Sequence, residues 1–279
     1  MTDTSRIDYS TLDRPEVLAY LFHPRPEAPG ASVRTSAGSD GTTAKKDIMI
    51  TVENGIAIGA RFHVAHPSGG NIVFFHGNGE IVADYDELAT VYNRMGINFL
   101  PVDYRGYGRS NGKPTVAAMM ADCHVIFEYI RKWLAENEYS GPVILMGRSL
   151  GSASVLELAA AYAHSVDGLI VESGFAYAAP LLSLLGINIE ALGFREEKGF
   201  RNIDKIKTFN KPTLIIHAEF DHIIPFSEGR ALFEACPSTE KNILKIPGAN
   251  HNDIFMRGLQ EYMTSIKVLV DKAIAVMQY

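Results

Sequence analysis

Short runs of consecutive apolar residues recur along most of this chain, and most are followed by a longer segment of helical periodicity. Asn71–Phe75, Ile97–Val102, Val143–Met146, Gly168–Val171, Thr213–His217 and Lys241–Ile246 read as strands. Apolar runs this short, without polar alternation, suit strands covered on both faces. The segments Asp84–Met95, Val116–Glu136, Ser149–His164, Phe226–Cys236 and Asp253–Met277 read as helices. Strand–helix alternation predicts an α/β domain, a mostly parallel central sheet with helices on both faces. Ahead of it, Asp47–Val52 and Ile56–Val64 alternate in polarity around Glu53-Asn54-Gly55. That is a hairpin signal, and it puts antiparallel strands at one edge of the sheet.

Two regions break the rhythm. Residues 1–45 read as an irregular lead-in, with Pro24, Pro26 and Pro29 near the middle and a Ser/Gly/Thr-rich stretch, Ser32–Thr43, that predicts a flexible loop. The α/β domain then occupies residues 46–279. Inside it, a variable segment runs over about 174–210. Its run Ala178–Ile189 is strongly apolar, and Glu196-Glu197-Lys198 reads as a solvated turn.

Composition narrows the class. The chain has 279 residues, 47% hydrophobic and 21% charged, as in an ordinary globular protein with one sizeable core. A net charge of −6 without any basic block argues against a nucleic-acid partner. Met1–Arg6 lacks the apolar core of a secretory signal. The most apolar long region, Gly168–Phe194, is interrupted by Glu172, Ser173, Glu190 and several glycines, so no transmembrane segment is expected. Together these readings predict a cytoplasmic protein. Cys123 and Cys236, far apart in sequence, read as two buried thiols.

The chemistry is signalled by Gly147-Arg148-Ser149-Leu150-Gly151, which lies between the strand Val143–Met146 and a helix. Strand, sharp turn, helix is the setting of the Gly-x-Ser-x-Gly nucleophile elbow. The turn is so tight that a side chain at either flanking position would meet backbone, which requires both glycines. Gly108-Arg109-Ser110-Asn111-Gly112 matches the same pattern. However, Ser110 lies several residues past its strand, and Lys113-Pro114 follows instead of a helix, so Ser110 reads as a polar loop residue.

A serine hydroxyl attacks only when a base takes its proton, and that base is usually a histidine oriented by a carboxylate. On a sheet of this kind the order is Ser, Asp or Glu, His, each on a loop just after a strand. Of the nine histidines, His251 sits between the last strand and the last helix and fits the base. His217 lies inside a strand and reads as a core histidine, and His222 belongs to the acid loop. Asp221, where the chain leaves the strand Thr213–His217, is the first choice of acid. Glu172, ending the strand before, is the fallback. Glu219 reads as a loop-bracing carboxylate, and Asp253 as the start of the last helix, at the positive end of its dipole. An oxyanion hole needs two backbone donors. The Gly-rich turn His76-Gly77-Asn78-Gly79 offers the N–H of Asn78, and the elbow offers that of Leu150. His76 reads as a turn-bracing residue, and Arg105, in the polar run Asp103–Ser110, as a structural brace.

His76-Gly77-Asn78-Gly79, Asp103-Tyr104-Arg105-Gly106-Tyr107-Gly108-Arg109-Ser110, Gly147-Arg148-Ser149-Leu150-Gly151, Asp221 with Ile224-Pro225, and Gly248-Ala249-Asn250-His251 resemble the α/β-hydrolase superfamily. The second and third stretches are similar to a narrower group of lysophospholipase-like and depalmitoylase-like serine hydrolases. The resemblance covers roughly residues 45–279. It implies an α/β-hydrolase fold, Ser149 as nucleophile, Asp221 as orienter and His251 as base, with no cofactor and no metal. The implied partner is a small-molecule acyl ester or thioester. Carboxylic ester hydrolysis is the favoured reaction. Thioester or peptide cleavage, transfer to an acceptor other than water, and a non-catalytic binding role on the same fold are the rivals. The depalmitoylase-like members carry an N-terminal cysteine cluster for membrane attachment. Here no cysteine precedes Cys123, a departure that argues against membrane-bound palmitoyl-protein substrates. Many hydrolases insert a lid where residues 174–210 fall. The apolar run there fits either a pocket wall over Ser149 or a core helix packed on the sheet.

Overall fold

Strands β3 (Asn71–Phe75), β4 (Asn98–Val102), β6 (Gly168–Glu172) and β7 (Thr213–Ala218) are buried at every residue, and β5 (Val143–Arg148) at all but its first. Continuous burial explains why their sequences show no alternation. The computed structural model describes residues 7–28 and 44–277. The predicted loop Ser32–Thr43 lies outside the described residues. With β1 (Ala44–Glu53), β2 (Ile56–Val64) and β8 (Lys241–Ile246), these strands form one eight-stranded sheet in the order β1-β2-β4-β3-β5-β6-β7-β8. The first two strands are antiparallel, as the hairpin signal predicts, and β2 runs antiparallel to β4. The rest pair in parallel.

Helices cover both faces. Helices α3 (Val116–Glu136), α4 (Gly151–Ala161) and α8 (Phe226–Ala235) pack one apolar cluster, with Phe127, Val155 and Leu232 inside it. Helices α2 (Asp86–Arg94) and α9 (Ile254–Met277) pack the other, around Tyr92, Phe99 and Tyr262. Among the described residues no helix is long and apolar enough to cross a membrane. Both cysteines are buried and unpaired.

The lead-in is not irregular throughout. Pro15–Leu21 forms helix α1, with Pro15 at its first turn, where a missing N–H costs nothing. Leu12, Val17 and Leu21 enter the α3/α4 cluster, and the Asp13 carboxylate accepts the Val116 N–H at 2.6 Å at the start of α3. Further on, Arg61 of β2, fully buried, binds Glu27 of the lead-in at 2.8 Å, together with Asp47 at 2.6 Å and Asp86 at 3.1 Å.

Within residues 174–210 the chain forms three short helices, α5 (Ala178–Leu184), α6 (Ile189–Leu192) and α7 (Asn202–Ile206). Helix α5 buries Ala178 and Leu182 in the main cluster while Leu184 stays exposed, so it is core-packed on one face only. Glu196 is not the solvated turn residue its neighbours suggest. Its carboxylate accepts the N–H groups of Ala178 and Ala179 at 2.7 and 2.9 Å, supplying partners for donors the first turn of α5 leaves open.

The loops that matter leave the carboxyl ends of the parallel strands. From β3 the chain crosses to β4 on one side, and from β5 onward it proceeds to the other. The winding reverses between β3 and β5, the place at which open α/β sheets bind their ligands.

Candidate active site

The turn after β5 explains its two glycines. A Cβ on Gly147 would lie 2.4 Å from the Gly151 carbonyl oxygen, and one on Gly151 would lie 2.1 Å from that of Phe75. Both contacts are with backbone, which cannot yield. Between them Ser149 adopts φ 51°, a left-handed conformation costing about 1–3 kcal/mol for a non-glycine residue. Its N–H donates to the Glu172 carbonyl at 2.8 Å, and its own carbonyl accepts from the Ser152 N–H and hydroxyl. This strain is why α4 starts at Gly151 and not at Ser149.

The loop after β8 brings His251 to this serine. Ser149 Oγ lies 3.1 Å from His251 Nε2, and His251 Nδ1 lies 2.7 Å from Asp221 Oδ2. All three residues are at least nine-tenths buried. The other Asp221 oxygen accepts the N–H groups of Ile223 and Ile224 at 3.0 and 2.8 Å. Burial alone would push this carboxyl up, but the hydrogen bonds from His251 and Ile224 hold it below its ordinary range. An ionised Asp221 fixes the proton of His251 on Nδ1, so Nε2 is bare and accepts from the Ser149 hydroxyl.

The other candidates fall elsewhere. Glu172 is fully buried, but its carboxylate accepts from Arg148 Nε at 3.1 Å and from the Tyr262 hydroxyl at 2.7 Å, not from the His251 ring. Burial raises its pKa. Glu219 braces its loop by accepting from Lys245 and from the Gly248 N–H. Asp253 accepts the Asn250 N–H at 2.6 Å just before α9. His217 donates from Nε2 to the Ile224 carbonyl at 2.7 Å, burial pushes its pKa down, and it buttresses the acid loop from inside. His222 is exposed. The hydroxyl of Ser110 accepts the Gly59 N–H at 2.9 Å. Arg105 binds both oxygens of Asp122, at 2.7 and 2.8 Å, as a brace.

The turn after β3 is pinned by hydrogen bonds on either side of the Asn78 N–H. The His76 carbonyl accepts from the Tyr104 hydroxyl, the Gly77 N–H donates to Glu80 at 2.6 Å, and the Gly77 carbonyl accepts from His76 Nδ1. Among the described residues the N–H groups of Asn78 and Leu150 have no protein acceptor. The Asn78 side chain faces the lead-in. Its Oδ1 accepts from the His23 N–H at 2.7 Å and the Tyr107 hydroxyl at 2.8 Å, and its Nδ2 donates to the Tyr20 carbonyl at 3.3 Å. Arg25 Nε donates to the Gly79 carbonyl at 2.7 Å. Neither this strap nor the buried Arg148 was expected from the sequence. A charge inside a turn that must be buried was the available signal.

Comparison with known proteins agrees with this architecture. The family model described as "Serine aminopeptidase, S33" matches residues 66–191. Alpha/beta hydrolase domain-containing protein 17B of Homo sapiens is 34% identical over 215 residues, covering 72% of this chain and 66% of that protein. The 17C protein of Xenopus tropicalis is 31% identical over 226 residues, covering 78% of this chain and 67% of that protein. The chain belongs to the α/β-hydrolase superfamily. It spans about two thirds of the length of these relatives. The Pyrococcus furiosus esterase Pf2001 superposes with a TM-score of 0.70 at 16% identity, over 90% of this chain and 100% of that one. Est1E from Butyrivibrio proteoclasticus, with ferulic acid bound, superposes at 0.69 and 19% identity, over 82% and 99%. At such identities these superpositions speak to the fold of the superfamily.

Proposed function

We propose that the chain is a serine hydrolase cleaving carboxylic esters through an acyl-enzyme, with Ser149 as nucleophile, His251 as base and Asp221 as its orienter. The observation carrying this reading is the unbroken hydrogen-bonded line Asp221–His251–Ser149, at 2.7 and 3.1 Å, ending on a serine held at φ 51°. Ser149 Oγ attacks the acyl carbonyl while its proton passes to His251 Nε2. The N–H groups of Asn78 and Leu150 receive the oxyanion. The tetrahedral intermediate collapses, and His251 returns the proton to the departing alkoxide. Water then enters, loses a proton to His251 and attacks the acyl carbon, and the bond to Ser149 Oγ breaks as His251 returns that proton to Oγ, releasing the acid. Each step needs only groups of this chain, the substrate and water. Residues 174–210 act as the lid segment of the hydrolase domain, residues 46–279.

The test is hydrolysis of a p-nitrophenyl ester series, from acetyl to palmitoyl, by the native protein and Ser149→Ala in parallel. Loss of turnover in the variant is expected, and the preferred chain length sizes the acyl pocket. Equal rates in both proteins refute Ser149 as nucleophile. A peptide bond is the second reading, supported by the serine aminopeptidase description of the matching family model. Cleavage of aminoacyl p-nitroanilides in preference to esters would select it.

A further inference from the structure

Arg148 ends β5, and its register partner on the adjoining strand is Glu172, the end of β6. The guanidinium is nearly inaccessible, with 7% of the side chain exposed. Its nitrogens reach different segments. Nε donates to Glu172 Oε1 at 3.1 Å, Nη1 contacts Glu80 Oε1 at 2.6 Å, and Nη2 donates to the His251 carbonyl at 2.7 Å. Both carboxylates are anchored further. Glu80 Oε2 accepts the Gly77 N–H and the Tyr85 hydroxyl, each at 2.6 Å, and Glu172 Oε2 accepts the Tyr262 hydroxyl at 2.7 Å. One planar fork therefore joins the serine turn, the histidine loop and, through Glu80, the turn that carries the Asn78 N–H. A buried ion pair is weak evidence for stability, because desolvation offsets the attraction. A main-chain carbonyl on the histidine loop is also a partner that neutralises no charge. Both points favour a geometric role.

We propose that Arg148 is a positioning residue: it sets the spacing of the Ser149 turn, the His251 loop and the Asn78 turn. The proposal rests on the assignment of Ser149 and His251 given above. Lysine cannot substitute, since an ammonium lacks the rigid fork that meets three partners in one plane. A displacement near 1 Å between reacting groups lowers turnover about 100-fold. The effect falls on kcat more than on KM, because Arg148 faces protein groups on every side where its nitrogens bond.

The experiment uses the full chain and p-nitrophenyl butyrate, with native protein, Ser149→Ala, Arg148→Lys and Arg148→Ala, and a thermal melt of each. Arg148 borders an open groove of about 540 Å³ between α2 and α9, so guanidinium ion from solvent can reach the space left in Arg148→Ala. Expected are a kcat reduced about tenfold or more in Arg148→Lys and about 100-fold in Arg148→Ala, with KM within about twofold. Millimolar guanidinium should restore part of the Arg148→Ala rate and none of the Ser149→Ala rate. Native kcat in Arg148→Lys overturns the proposal, and so does a loss in a cooperatively melting Arg148→Ala that guanidinium leaves unchanged. If Arg148→Ala does not fold, Arg148→Lys decides alone. Turnover surviving in Ser149→Ala overturns instead the assignment on which the proposal rests.

Discussion

Replacing Asp221 by asparagine tests the acid assignment with a loss whose size follows from local geometry. Two main-chain donors, the N–H groups of Ile223 and Ile224, aim at Asp221 Oδ1. In Asp221→Asn only the amide oxygen satisfies them, so the amide NH2 is forced into the Oδ2 position, 2.7 Å from His251 Nδ1 in the native chain. A donor facing Nδ1 drives the imidazole proton to Nε2, where it blocks transfer from Ser149. The lost charge-assisted bond is worth about 1.5–3 kcal/mol. Turning the amide to recover the right tautomer breaks two hydrogen bonds, about 1 kcal/mol each or somewhat more. Together these come to about 3.5–6 kcal/mol, or a fall in kcat of about 400- to 25,000-fold. Asp221→Ala places no donor against Nδ1 and leaves the histidine free to choose its tautomer. It should therefore be the less damaged variant, although it deletes more atoms. Glu172→Gln keeps an oxygen for Arg148 and should lose less than about tenfold. Steady-state hydrolysis of a p-nitrophenyl ester measures all three. Asp221→Asn within tenfold of native, or a larger loss in Glu172→Gln, would refute the assignment.

Two further outcomes concern stability. Leu12 is fully buried, and Leu12→Ala should cost about 2–5 kcal/mol, lowering the melting temperature by several degrees; an unchanged melt would mean that the lead-in is not docked. Burial would raise the Asp86 carboxyl, but the adjacent His63 ring, a hydrogen bond from Lys45 and the charge of Arg61 hold it well below its ordinary range. A carboxyl depressed by folding contributes stability that is present above its unfolded pKa, near 3.9, and lost as pH falls from there towards the folded value. The drop in melting temperature between pH 5 and 3 should be shallower in Asp86→Asn, and an identical pH profile would contradict it.

The features that could be read from the sequence are the local ones. Continuous apolar runs placed the buried strands, because a strand covered on both faces has no polar position to reveal its period. Gly147 and Gly151 marked the turn, because backbone crowding there admits no Cβ. Chain order narrowed the acid to Asp221 or Glu172, each on a loop after a strand, and the distance from Asp221 to His251 separates them. Arg148 and His251 are 103 positions apart, and Asn78 and His23 are 55 apart. Pairings at such separations leave no periodicity and depend on how the finished sheet aligns its loops. Glu196 was misread for the same reason: its partners, Ala178 and Ala179, begin a helix on the far side of α6.

Two of these networks meet at the turn after β3. Gly77 is held from beneath by Glu80, itself in contact with Arg148, and Asn78 is held from above by His23 and Tyr107. A backbone donor between two independent anchors does not have to reorganise when charge develops in front of it, and that is the condition under which such a donor contributes most to catalysis. The two anchors need not be equal. The lower one is tied into a charged network through the nearly buried Arg148, whereas the upper one lies among exposed lead-in residues and its hydrogen bonds compete with water. Loosening the upper anchor should therefore be the milder perturbation, and the lead-in is the part of this fold through which the Asn78 turn can be adjusted without touching Ser149, His251 or Asp221.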